Sequence, residues 1–207
     1  MAMKSETRES KKKSVPEMII VVGASAGGFK EIALLVEYLP AWFKGTMIVA
    51  NHRLPHESND LAKILADRAR VRVHEPVDDQ ALECTTIYVG KPNETIEVDD
   101  GGFDVRVNTS NYARVHRIDD LFKSVADTVG KNAVGVILSG MLSDGIDGLE
   151  AIQQAGGYCI VQCPEDAQYD SMPKNAIERI EPDFIGTTRE ISSVLMELAV
   201  ERFNAVS

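Results

Sequence analysis

At 207 residues, with 44% hydrophobic and 26% charged side chains, the chain has the size and composition of one globular domain with a substantial core. Its net charge of −10 argues against a nucleic-acid partner, which calls for a basic face, and no apolar run approaches the length of a membrane span. Cys84, Cys159 and Cys163 lack a zinc spacing and read as free thiols; with no secretory signal at the start, the expected location is the cytoplasm.

Residues 1–16 form a polar, lysine-rich stretch ending at Pro16, expected as a disordered tail or linker ahead of a single domain over 17–203. The first strand is expected at 18–22, followed by a glycine-rich turn and a helix from Phe29 to Tyr38. Strands follow at 46–50, 71–75 and 86–90, with less strongly patterned runs at 95–98 and 103–107. In 118–129, Asp119 or Asp120 can cap a helix whose apolar face carries Leu121, Phe122, Val125 and Val129 and which ends at Gly130. Strands at 134–138, 157–161 and 183–185 precede a last helix, with Thr187 and Thr188 as capping candidates and Ile191, Val194, Leu195, Leu198 and Ala199 on one stripe.

This alternation predicts an α/β fold: a doubly wound, mostly parallel sheet flanked by helices. The region 86–107 has strands without helices and the turn signal Asp99-Asp-Gly-Gly102, so it reads as a β-hairpin insertion. A monomer is expected.

In such a sheet, chemistry collects beyond the carboxyl ends of the strands. Gly23-Ala-Ser-Ala-Gly27 fits the G-x-S-x-G pattern of a turn that lifts a serine hydroxyl into the open. His52 follows the strand at 46–50, and Asp144 follows the strand at 134–138. If these strands are parallel, Ser25, His52 and Asp144 fall on one sheet edge, as a nucleophile, its base and an orienting carboxylate require. Each has a plainer reading. A serine in a strand-to-helix turn is commonly an N-cap. His56, His74 and His116 compete as bases, although the alternation Val71-Arg-Val-His-Glu75 turns His74 to solvent. Asp144-Gly145 and Asp147-Gly148 are also turn signals, and their separation is too short for an EF-hand calcium loop. A dinucleotide site is the main competitor for the glycine-rich turn. It is disfavoured by the serine in place of the second fingerprint glycine, and by Asn51-His52 where a ribose-binding carboxylate belongs.

Gly23-Ala-Ser-Ala-Gly-Gly28 resembles the G-A-S-T-G-G of the chemotaxis protein-glutamate methylesterases, the CheB family. Asn51-His-Arg-Leu-Pro55 is similar to its Q-H-M-P, and Asn132 to Gly145 resembles its N-A-V-G-V-I-L-T-G-M-G-x-D-G. Gln154-Ala-Gly and Met172-Pro-x-x-Ala176 also fit, so the resemblance runs from about Met18 to Leu198. It implies hydrolysis of glutamate γ-methyl esters on the cytoplasmic helices of chemoreceptors, with glutamine deamidation as a side activity. Ser25 would be the nucleophile, His52 the base and Asp144 the acid, with no metal or cofactor. Met141 and Ala26 would support the oxyanion site. Arg114 and Arg117, with His116, are candidate contacts for an acidic receptor helix.

The chain departs from the family pattern in several places. Ala26 replaces a threonine. The family's P-G-D-R-H loop is represented by Gly90-Lys-Pro-Asn-Glu-Thr95, and its R-H-R-P-S-V-D segment by Ala113-Arg-Val-His-Arg-Ile-Asp119. Family members usually carry a receiver domain, here a possible partner in cis or in trans. The altered segments keep two further readings open: a catalytically weak methylesterase-like binding module in a signalling complex, or an esterase for small molecules.

Overall fold

The computed structural model describes residues 15–53, 61–108 and 115–204. Strands β1 (Ile19–Ala24), β2 (Thr46–Asn51), β3 (Arg72–His74), β4 (Thr86–Val89), β7 (Ala133–Ile137), β8 (Tyr158–Gln162) and β9 (Phe184–Gly186) form a seven-stranded sheet. Its order is β3-β4-β2-β1-β7-β8-β9, and every neighbouring pair is parallel. The helices are α1 (Gly28–Tyr38), α2 (Leu61–Ala66), α3 (Arg117–Val129), α4 (Ile146–Gln154), α5 (Ser171–Arg179) and α6 (Thr188–Asn204).

Alternation along β1 explains the double winding. Ile20 and Val22 pack with Ile32, Leu35 and Val36 of α1, Leu65 of α2 and Leu195 of α6. Ile19 and Val21 face the other way, into a core with Leu121, Phe122 and Val125 of α3, Leu149 and Ile152 of α4, and Met172 of α5. These strands are buried on both faces, which is why they read as continuous apolar runs. Each such side chain, taken fully out of water, contributes about 1.5–3 kcal/mol.

The expected hairpin insertion is narrower than 86–107. Thr86–Val89 belongs to the main sheet as β4, and the hairpin is β5 (Glu94–Asp99) with β6 (Gly102–Val107), paired antiparallel. Asp100 (φ 44°) and Gly101 (φ 77°) give positive φ at both central positions of the turn, the geometry that matches strand twist in a two-residue hairpin. Ile96, Val98 and Phe103 bury against the α3 face, while Ser124 Oγ accepts from Val98 N and Thr128 Oγ1 donates to Val98 O. Those contacts occupy backbone groups of β5.

Helix α6 is capped by Thr187, one of its two capping candidates, and the cap is reciprocal: Thr187 Oγ1 accepts from Glu190 N, and Glu190 Oε2 accepts from Thr187 N. Helices α2, α4 and α5 were not delineated from the sequence. Of the expected tail, residues 1–14 lie outside the described residues, and Pro16 is buried. Among the described residues, no helix is long and apolar enough to cross a membrane.

Candidate active site

The strand order reverses direction between β1 and β7, and the site sits at that switch point. Ala24 is the last residue of β1 and pairs in register with Asn51, the last of β2, so Ser25 and His52 leave the sheet from neighbouring positions. His52 N donates to Ala24 O at 3.2 Å, which ties the two exits together. On the other side, Ser25 N donates to Ser139 O at 3.0 Å, just past the end of β7.

The turn from Ser25 into α1 works because of what glycine omits. Gly27 has φ 73°, and a Cβ there would stand 2.8 Å from Ser139 Oγ and 2.9 Å from Gln168 Cβ. Behind the turn, buried Ser139 acts as a hub. Its Oγ donates to Ala26 O at 2.9 Å and accepts from Tyr169 N at 3.0 Å, and its N–H donates to Gln162 Oε1 at 2.8 Å. Gln162 Nε2 donates in turn to Asp166 Oδ2, which also accepts from Thr188 N. Sequence reading missed Ser139; its only signal was its place in the motif that ends at Asp144.

His52 Nε2 lies 2.6 Å from Asp144 Oδ2, with the imidazole partly exposed and the carboxylate 3% exposed. Asp144 Oδ2 also accepts from Ile118 N at 3.1 Å, and Oδ1 accepts from Asp119 N at 3.0 Å. Both donors are first-turn amides of α3, whose dipole favours an anion there. A buried carboxylate is tolerated when its oxygens are satisfied in this way. With Nε2–H given to Asp144, the imidazole presents Nδ1 as its acceptor. Among the described residues, Ser25 Oγ makes no hydrogen bond to His52, a looseness common in unliganded active sites.

Asp119 does not cap its own helix. Its Oδ1 accepts from Gly145 N at 3.0 Å and Gly148 N at 2.8 Å, at the start of α4. Asp144 and Asp119 therefore each cap the other's helix, and α3 and α4 lock together around the pair. Burial pushes the Asp119 carboxyl above its usual range, with the nearby Asp144 charge adding to the rise and the Gly148 N–H bond opposing it. Burial and Asp144 raise Asp120 as well.

Asp119→Asn keeps an acceptor for α4 and removes the buried charge. When pH rises above the usual aspartate range, Asp119 ionises first in the unfolded wild type, so the folded wild type loses stability until its own, raised pKa is passed. The advantage of Asp119→Asn should grow over that interval and then level off. Denaturant midpoints between about pH 3 and pH 8 check this, and an advantage that shrinks with rising pH contradicts it.

Other expected site residues sort clearly. Ala26 is partly exposed and Met141 is 51% exposed; among the described residues, neither backbone N–H is engaged in a hydrogen bond, so both are free to serve an oxyanion. Arg117, expected as a substrate contact, is turned into the protein. It is 4% exposed, and its guanidinium donates to Asn51 O, Lys91 O and Pro92 O, clamping the altered 90–95 segment to the end of β2. Arg114 and His56 lie outside the described residues. His74 is exposed, as its alternation predicted. His116, Asp119 and Asp144 bring ligand atoms within 4.8 Å of one another, yet the carboxylates there already accept the amides of α3 and α4. The cysteines are unbridged, and burial holds the Cys159 thiol pKa up at about 12.

A cleft of about 510 Å³ opens beside the pair. His52 and Asp144 line it together with Val115, Leu142, Asn175 and Arg179. Comparison with known proteins places the chain in a family. The profile of the CheB methylesterase family matches residues 20–195. The chain belongs to the CheB methylesterase family. A protein-glutamate methylesterase/protein-glutamine glutaminase of Photorhabdus laumondii subsp. laumondii is 32% identical over 183 residues, covering 86% of this chain and 50% of its own. One of Rhizobium johnstonii is 34% identical over 167 residues, covering 79% of this chain and 46% of its own. The chain thus spans about half of these relatives, but 93% of a Leptospira interrogans relative that is 28% identical over 181 residues. Among solved structures, the Thermotoga maritima CheB methylesterase catalytic domain superposes with a TM-score of 0.80 at 25% identity, covering 89% of this chain and 99% of that one.

Proposed function

We propose that this chain is a serine hydrolase that removes γ-methyl esters from glutamate side chains on the cytoplasmic helices of chemoreceptors. The observation that carries the proposal is the 2.6 Å pair of His52 Nε2 and Asp144 Oδ2, held at a strand exit in register with the exit that carries Ser25. Family membership and the activity in the relatives' names supply the substrate class.

Ser25 Oγ attacks the ester carbonyl carbon while His52 Nδ1 takes the hydroxyl proton. Asp144 fixes the ring through Nε2–H and stabilises the imidazolium that forms. Negative charge develops on the carbonyl oxygen, where the N–H groups of Ala26 and Met141 can donate; one such donor is typically worth about 2.7–4 kcal/mol. Collapse breaks the bond to the methoxy group, which leaves as methanol with the proton from His52. A water, deprotonated by His52, then attacks the acyl-serine; the bond to Ser25 Oγ breaks, His52 returns the proton to Oγ, and the product acid leaves, ionising to the glutamate carboxylate. These groups account for every proton, so the route calls on no metal or cofactor. An amide nitrogen leaving in place of methoxide gives glutamine deamidation, the second activity in the relatives' names.

Labelling with a serine-reactive fluorophosphonate tests the nucleophile. One label per chain is expected, on the peptide that contains Ser25. Labelling elsewhere, or none on folded protein, would mean that Ser25 is not activated.

A further inference from the structure

Leu142 is in a conformation that leucine disfavours. Its φ is 71°, in the left-handed region where a Cβ crowds the backbone and glycine is the usual occupant. The backbone is held there from both sides by α5: Leu142 N donates to Ser171 Oγ at 3.1 Å, and Leu142 O accepts from Asn175 Nδ2 at 2.9 Å. Among the described residues the leucine side chain serves no packing role, because it is 70% exposed and absent from both cores. Glycine would satisfy the same backbone at lower cost, and it is the residue at this place in the G-M-G-x-D-G motif that Gly140 to Gly145 resembles.

The side chain instead lines the cleft that begins at His52 and Asp144. Val115, 48% exposed, lines the same cleft from the chain segment before α3, and Ile146 adds apolar surface from α4. His52 lines the same cleft, so this rim is within the surface offered to the residues that flank an ester at His52. On a helix, the residues three and four positions away lie on the same face as the esterified glutamate.

We infer that Leu142 is a specificity-determining residue whose exposed side chain, with Val115, receives an apolar side chain one helical turn from the esterified glutamate. The inference rests on the proposed activity for its ligand, and it is read out by binding rather than turnover. Strain is accepted at Leu142 because the apolar contact is made with substrate, not within the fold.

The test uses helical peptides that carry one glutamate γ-methyl ester, with leucine or with serine at both i−4 and i+4. Binding is measured on protein carrying Ser25→Ala, with Leu142 intact or replaced. Leu142→Asn suits the backbone, since asparagine visits the left-handed region more readily than leucine, and it replaces an apolar side chain with a polar one of similar size. Leu142→Asn should weaken binding of the leucine peptide about 10-fold or more and leave the serine peptide nearly unchanged. Leu142→Met should restore most of the loss. Equal loss on both peptides would assign the effect to backbone geometry and overturn the inference. So would no loss on either, or no binding of either peptide by the parent protein. Peptide binding that depends on Leu142, with no methanol released by protein retaining Ser25, would overturn the esterase reading and leave this one standing.

Discussion

Ser25→Ala is expected to lower hydrolysis of a glutamate γ-methyl ester by a factor on the order of 10⁶, to near the detection limit, with an unchanged thermal midpoint. The loss is large because Ser25 is the hydroxyl that leaves β1 in register with the exit of β2 that carries His52. Thr46, Thr86, Thr95, Ser139, Thr188 and Ser192 are buried hydroxyls committed to other partners. The fold should be indifferent, because Ser25 contributes its backbone N–H to Ser139 O and its backbone O to Gly28 N, and alanine keeps both. A melting curve and a methanol assay on the same preparation check the two halves together. An active, folded Ser25→Ala protein would remove the serine from the mechanism.

The second large effect belongs to Asp144. Asparagine there keeps the shape but offers His52 an amide where a carboxylate stood, so the ring loses its fixed tautomer and its counter-charge. A fall in kcat of about 10⁴-fold is expected, with KM little changed. Alanine should do the same to catalysis and also destabilise the fold. It leaves the amides of Ile118 and Asp119, at the start of α3, without their acceptor in a buried setting, at about 1–3 kcal/mol. Urea midpoints for the two variants separate these roles. Equal stability of Asp144→Ala and wild type would mean that the reciprocal capping of α3 and α4 does not hold the site together.

Local chemistry explains which parts of this site were legible in the sequence. The serine turn could be read because a buried parallel strand is a continuous apolar run, and a close turn after it needs small residues such as Gly27. His52 and Asp144 followed from the same reasoning, since each comes soon after another such strand. Helix α5 was hidden by Pro173, which reads as a breaker but is tolerated in a first turn whose amide has no helical partner. Helix α4 follows Gly145, which has no side chain to cap it, and the acceptor for its start is Asp119, 26 residues upstream of Gly145. No local window shows that pairing. The burial of Arg117 is hidden for a related reason: the carbonyls of Asn51, Lys91 and Pro92 that converge on it lie 25 to 66 residues upstream. The sequence shows Leu142 only as a leucine at a motif glycine; the positive φ that gives the exchange its meaning is a property of the folded backbone.

The most direct test of the account is methanol release from a chemoreceptor cytoplasmic fragment carrying glutamate γ-methyl esters, with protein blocked beforehand by a serine phosphonate run in parallel. The account predicts one methanol for each ester lost from the fragment, and none from the blocked protein. Release that persists after Ser25 is fully labelled would contradict it, as would folded, phosphonate-reactive protein that leaves the esters intact.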